Sequence, residues 1–103
     1  MKFSLSVAVG NYDRTRALVD GRVRIDGVNP AFMTLSPEEM FFRAFRYADF
    51  DITELSLASY AVSLANDANE YTALPIFLSR AFRHSSIYVT HESGIQKPEQ
   101  MRG

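Results

Sequence analysis

Ser36-Pro37-Glu38-Glu39-Met40-Phe41-Phe42-Arg43-Ala44-Phe45 decides how this chain is read. Serine followed by proline and two glutamates is a helix start. Ser36 caps the free amides, Pro37 suits the first helical position, and Glu39 is placed to reach back to the Ser36 amide. Phe41, Ala44, Phe45 and Ala48 then recur at helical spacing and predict a buried stripe over residues 37–48. Arg43, Arg46 and Tyr47 fall off that stripe.

Working outward, residues 31–35 read as a strand before this helix, and residues 51–53 as a strand after it. Lys2-Phe3-Ser4-Leu5-Ser6-Val7-Ala8-Val9 alternates as a half-buried strand does and ends at the turn signal Gly10-Asn11. Residues 11–16 read as a polar loop, and residues 17–19 as a short apolar patch of one helical turn. Residues 22–25 alternate again. Ser56 is the expected cap of a helix over residues 57–64. Residues 71–78 are strand-like, with Pro75 indicating an edge or a bulge. Residues 87–90 complete the predicted sheet. Strands alternating with helices predict a single α/β domain over residues 1–103, a mostly parallel sheet with flanking helices.

Composition narrows the function. The chain has 103 residues, 47% hydrophobic and 13% aromatic, as a chain with a packed core requires. Eleven basic residues against twelve acidic ones leave a net charge of -1, so no overall field draws it to nucleic acid or to an anionic membrane. With no cysteine, thiol catalysis, disulfides and thiolate metal sites are excluded. The two histidines lack metal-ligand spacing, and there is no phosphate-binding glycine motif and no nucleophile elbow. No metal and no cofactor is expected. The first strand is too short and too interrupted for a signal-peptide core, and no apolar run spans a membrane, so a cytoplasmic location is expected.

Three polar clusters fall at predicted strand ends, where open α/β sheets bind ligands. Asn11, Tyr12, Asp13 and Arg14 offer amide, phenol, carboxylate and guanidinium groups in one loop; the alternative is a solvated turn. Glu54, Ser56 and Ser59 surround a helix start, where free amides favour an anion; the alternative is plain capping. Arg80, Arg83, His84 and Ser85 form the densest cluster. Arginine grips carboxylates in bidentate fashion, and an imidazole titrates near neutrality. A basic surface loop is the competing reading.

Gly10-Asn11-Tyr12-Asp13-Arg14-Thr15-Arg16, Glu54-Leu55-Ser56-Leu57-Ala58-Ser59-Tyr60 and Ser79-Arg80-Ala81-Phe82-Arg83-His84-Ser85-Ser86-Ile87-Tyr88-Val89 closely resemble the 4,5-dihydroxyphthalate decarboxylase family, in its order and spacing. The helix start at Ser36 is similar too, and the likeness runs over nearly the whole chain. The resemblance implies most of lobe one of a two-lobed fold like the type 2 periplasmic binding proteins. The uncapped tail, Lys97-Pro98-Glu99-Gln100-Met101-Arg102-Gly103, then reads as a chain cut short.

The activity implied is loss of carbon dioxide from a dihydroxy aromatic dicarboxylate during aromatic degradation, 4,5-dihydroxyphthalate giving protocatechuate. Assigned by residue type, Glu54 or Asp13 takes a hydroxyl proton and His84 serves as acid or base. Arg14, Arg80 and Arg83 hold a carboxylate, while Asn11, Tyr12, Ser56, Ser59 and Ser85 bind substrate oxygens. The alternatives are a small-acid receptor of transporter type and an inactive fragment. The expected partner is a small aromatic carboxylate, and exposed apolar surface is expected to drive homo-oligomer formation.

Overall fold

The computed structural model describes residues 1–102, and of His84 the backbone alone. The elements run β1 (Phe3–Val9), α1 (Asp13–Val19), β2 (Val28–Thr34), α2 (Pro37–Tyr47), β3 (Ile52–Thr53) and α3 (Leu57–Ala65), followed by three short 3-10 turns. The strands form a parallel sheet in the order β2-β1-β3. The chain is therefore α/β, as predicted.

β1 is the central strand, and its burial follows from its partners. Along its whole length it pairs with β2, Phe3 opposite Val28 through Val9 opposite Thr34. Only Val7 and Ala8 also pair with β3, opposite Ile52 and Thr53. The predicted alternation is therefore replaced by burial that rises along the strand and is complete at Val7, Ala8 and Val9, at the end where β3 joins the second side. β2 begins three residues before the predicted strand because it is an edge, where the missing amide of Pro30 breaks no essential ladder bond. Asp51 fixes the entry to β3: its Oδ2 accepts from the Ser6 amide (2.7 Å) and hydroxyl (2.8 Å), and its own amide donates to Ser6 Oγ (2.9 Å).

α2 starts as predicted, with Ser36 Oγ accepting from the Glu39 amide at 3.3 Å. The return half of the capping box is replaced: the Glu39 carboxylate instead pairs with Arg43, one turn on, at 3.4 Å. The buried stripe is also shifted. Met40 and Ala44 face the core with Ala8 and Phe50, Phe41 is partly buried, and Phe45 is exposed. Small Ala8 and Ala44 let the helix approach the strand, and Met40 fills the space between; its truncation to alanine should cost about 2–5 kcal/mol. Arg43, off the stripe, lies 4.8 Å over the Phe50 ring and donates to Asp49 at 2.9 Å, closing the α2–β3 corner. The helix ends at Tyr47, with Ala48 as a left-handed C-cap (φ 50°).

Two predicted strands do not form. Across Pro75 the amide of Ile76 donates to the Leu74 carbonyl at 2.7 Å, a γ-turn that breaks the extended run over residues 71–78. Residues 87–90 follow a 3-10 turn, His84–Ser86, and meet no ladder partner among the described residues. Without a partner, the β propensity of Ile87, Tyr88 and Val89 is not enough to make a strand. Residues 72–102 consequently add no strand to the sheet, and the radius of gyration is 18.1 Å against about 13 Å for a compact chain of this size. α3, predicted from Ser56, forms with Ser56 Oγ accepting from the Ser59 amide (3.4 Å), and it buries none of its residues.

Candidate functional site

The order β2-β1-β3 places a topological switch point between β1 and β3: the chain leaves β1 toward β2 and later returns to the opposite side. Ligands bind outside the carboxyl ends of strands at such points. Gly10 and Tyr12 follow β1 there, and Glu54 follows β3.

These residues meet. Glu54 is 9% exposed, an unusual state for a glutamate, and among the described residues it is held by hydrogen bonds rather than by an ion pair. Its Oε1 accepts from the Gly10 amide and its Oε2 from the Tyr12 hydroxyl, both at 3.3 Å. A carboxylate has about four acceptor positions, so two described donors leave room for a ligand proton. The Tyr12 ring lies against Gly10 so closely that a Cβ there would sit 2.5 Å from Cζ and 2.7 Å from the hydroxyl oxygen. Arg14 covers the ring, its guanidinium carbon 4.4 Å from the centroid.

The first loop is shorter than predicted. α1 begins at Asp13, so the segment read as a polar loop is mostly helix. Asp13 and Arg14 have polar side chains because they sit on the outer turn, and the apolar face starts only afterwards. The Asp13 side chain is 98% exposed and its Oδ1 accepts from the Arg14 amide at 2.9 Å. Asn11 Oδ1 accepts from Arg16 Nη2 at 2.9 Å. Arg14 Nε donates to the Leu78 carbonyl, which draws the start of the Ser79–Ser86 stretch toward Tyr12. This bond, not a sheet strand, brings Leu78, which precedes the third cluster, against α1.

Arg80, Arg83 and Ser85 beyond Leu78 are exposed. The His84 side chain falls outside the described residues. Ser56 is occupied in capping α3, and Ser59 lines an open groove of about 590 Å³ with Phe45, Ala58 and Val62. That groove, and a smaller one of about 310 Å³ beside Tyr47 and Asn69, include neither Tyr12 nor Glu54. The Glu54 carboxylate differs from the acidic groups of these grooves, Asp67 and Glu70, in being buried and doubly hydrogen-bonded. Among the described residues no three histidine, aspartate or glutamate side chains are placed to hold a metal ion, and no helix is long and apolar enough to cross a membrane.

Two contributors are absent from the sequence reading. The Leu78 carbonyl carries no side-chain signal. Thr15, 3% exposed, does carry one: with α1 started at Asp13, Thr15, Leu18 and Val19 share a helix face.

No protein-family model matches the chain. Over 102 residues, 99% of this chain, it is 60% identical to the 4,5-dihydroxyphthalate decarboxylase of Comamonas testosteroni. Over the same number of residues it is 58% identical to the enzyme of that name from Pseudomonas putida. The chain spans 31% of the length of the first and 40% of the second. The resemblance carried by the three motifs thus holds along nearly the whole chain, which is similar to a part of the 4,5-dihydroxyphthalate decarboxylases.

Proposed function

We propose that this chain forms one side of the site of an enzyme that decarboxylates 4,5-dihydroxyphthalate to protocatechuate. The observation that carries the reading is the buried Glu54 carboxylate facing the Tyr12 hydroxyl at the β1–β3 switch point. The relatives are named for this reaction. The α/β unit with its three-stranded parallel sheet is compatible with most of lobe one of a two-lobed, type 2 binding-protein-like fold.

Each carboxylate of the substrate has a hydroxyl para to it. Glu54 takes that hydroxyl proton, and electron density moves through the ring to the carbon bearing the carboxylate. A proton delivered to that carbon gives a ring ketone. The bond to the carboxylate then breaks, its electron pair restores the aromatic ring and leaves the oxygen as a phenolate, carbon dioxide departs, and Glu54 returns its proton to that oxygen. Overall, one proton replaces one carbon dioxide. Within this scheme Tyr12 orients Glu54, and its ring offers a face for the substrate. Arg80 and Arg83, exposed beyond Leu78, hold the retained carboxylate, and His84 is the proton donor to carbon. Glu54 is preferred over Asp13 as the base because only Glu54 is shielded from water. Exposed Leu57, Leu74, Ile76, Phe77, Ile87 and Tyr88 support self-association or cover by further polypeptide, which sedimentation of the isolated chain would detect.

The test is a chimera of the Comamonas testosteroni decarboxylase in which this chain replaces the segment it matches. Release of carbon dioxide from 4,5-dihydroxyphthalate is expected from the chimera and not from this chain alone. Binding of the substrate without release would instead favour a small-acid receptor, and neither binding nor release would overturn both readings.

A further inference from the structure

Tyr12 occupies the N-cap of α1, where serine, threonine, aspartate or asparagine would satisfy the first amides, and it makes no capping hydrogen bond. The phenol reaches Glu54 instead. A residue that breaks a local rule in this way needs something else to hold its backbone. Thr15 supplies it. Its buried hydroxyl lies 3.2 Å from the Gly10 carbonyl and 3.1 Å from the Tyr12 carbonyl, a donor shared between the two residues that contact Glu54. The Thr15 amide donates to the Tyr12 carbonyl at 3.3 Å, and the Tyr12 amide to the Gly10 carbonyl at 3.0 Å. The turn from β1 into α1 is thereby closed on one side chain, buried although polar.

We infer that Thr15 is a positioning residue that, through the Gly10 and Tyr12 carbonyls, keeps the Tyr12 hydroxyl on the Glu54 carboxylate. Its role in turnover rests on the reaction proposed above; its role in placing Tyr12 does not. Valine in place of threonine keeps the shape and removes only the hydroxyl. Both carbonyls retain an amide donor, so the helix itself is expected to form.

In the chimera, Thr15→Val is expected to lower kcat about as much as Tyr12→Phe does, with KM little changed and with recovery in Thr15→Ser. A loss of stability with kcat intact would overturn the role in turnover. The placement of Tyr12 is read independently, by carbon-13 resonances of the ring Cζ atoms in the whole chain labelled at its five tyrosines, with Tyr12→Phe identifying the Tyr12 signal. Thr15→Val should move that signal toward the position it takes in Glu54→Gln, and Thr15→Ser should return it. A Tyr12 signal that coincides with the parent in Thr15→Val overturns the inference, whatever the enzyme assay shows. Should Thr15→Val not fold, Thr15→Ala and Thr15→Ser decide: a shift in alanine alone supports the role, and equal signals in both remove it.

Discussion

The ring of Tyr12 occupies the space that the side chain of residue 10 would fill: a Cβ on Gly10 would lie 2.5 Å from the tyrosine Cζ. Glycine at this strand end thus leaves room for the ring to lie where it does. The obstructing atoms belong to the far end of a flexible side chain, so the ring swings away at small cost. Gly10→Ala is expected to destabilise the chain by about 1 kcal/mol or less. It should nonetheless separate Tyr12 from Glu54 and reduce decarboxylation by the chimera about tenfold to a hundredfold, the value of one hydrogen bond to a charged group. Urea unfolding measured beside kcat checks this; equal and large losses in both would show that Gly10 matters for folding alone.

Ser6 and Asp51 give a pH dependence. Donation from the Ser6 amide, and then from its hydroxyl, holds the Asp51 carboxyl below its ordinary value of 3.8. A carboxyl with a lowered folded-state value adds stability above the unfolded value and loses it as pH falls through the folded one. Asp51→Asn should therefore be less stable than the parent near neutral pH, and the gap should close in acid below 3.8. Urea midpoints across that range test it. A gap that persists unchanged into strong acid would mean that the carboxylate charge contributes nothing.

Ala48 ends α2 with a left-handed backbone, φ 50°. A Cβ in that conformation costs about 1–2 kcal/mol, and glycine avoids the cost. The side chain is exposed, so nothing is lost from the core. Ala48→Gly is expected to stabilise the chain by about 1 kcal/mol, or about 4–8 °C in melting temperature. Calorimetry showing an unchanged or lower transition would contradict it.

What was legible in the sequence was local. The Ser36 cap, the Ser56 cap and the strand β1 each depend on neighbours a few residues away, and each formed, although burial along β1 rises toward Val9 instead of alternating. Register and partnership were not legible. Residues 87–90 have the composition of a strand, yet a strand exists only where another backbone pairs with it. Phe45 and Met40 fit helical spacing equally well, and contact with Ala8 and Phe50 chose Met40. At the site, residue type marked Tyr12 and Glu54, but their pairing spans 42 positions and follows from the parallel register of β1 with β3. Arg14 likewise has partners that its residue type does not reveal: its Nε donates to the Leu78 carbonyl and its guanidinium carbon lies over the Tyr12 ring.

Glu54 and Asp13 both suit the base by residue type, and they differ in their surroundings. The Asp13 side chain is 98% exposed and accepts from the neighbouring amide, while Glu54 is buried between Gly10 and Tyr12. Proton transfer by a positioned base contributes typically about 10²–10⁴-fold. Glu54→Gln keeps the side-chain length and an oxygen for one of its two donors, so the local fold is expected to persist. In the chimera it should lower kcat on 4,5-dihydroxyphthalate by about that factor. KM should change far less, because in the proposed reaction the substrate carboxylates are held by arginines rather than by Glu54. Asp13→Asn should leave kcat within about twofold of the parent, since a solvated carboxylate at a helix start contributes only a few tenths of a kcal/mol. Steady-state kinetics of the two variants, with circular dichroism to confirm that both fold, decide the matter. If Glu54→Gln turns over at the parent rate, Glu54 only braces the turn through Gly10 and Tyr12, and the base must come from elsewhere.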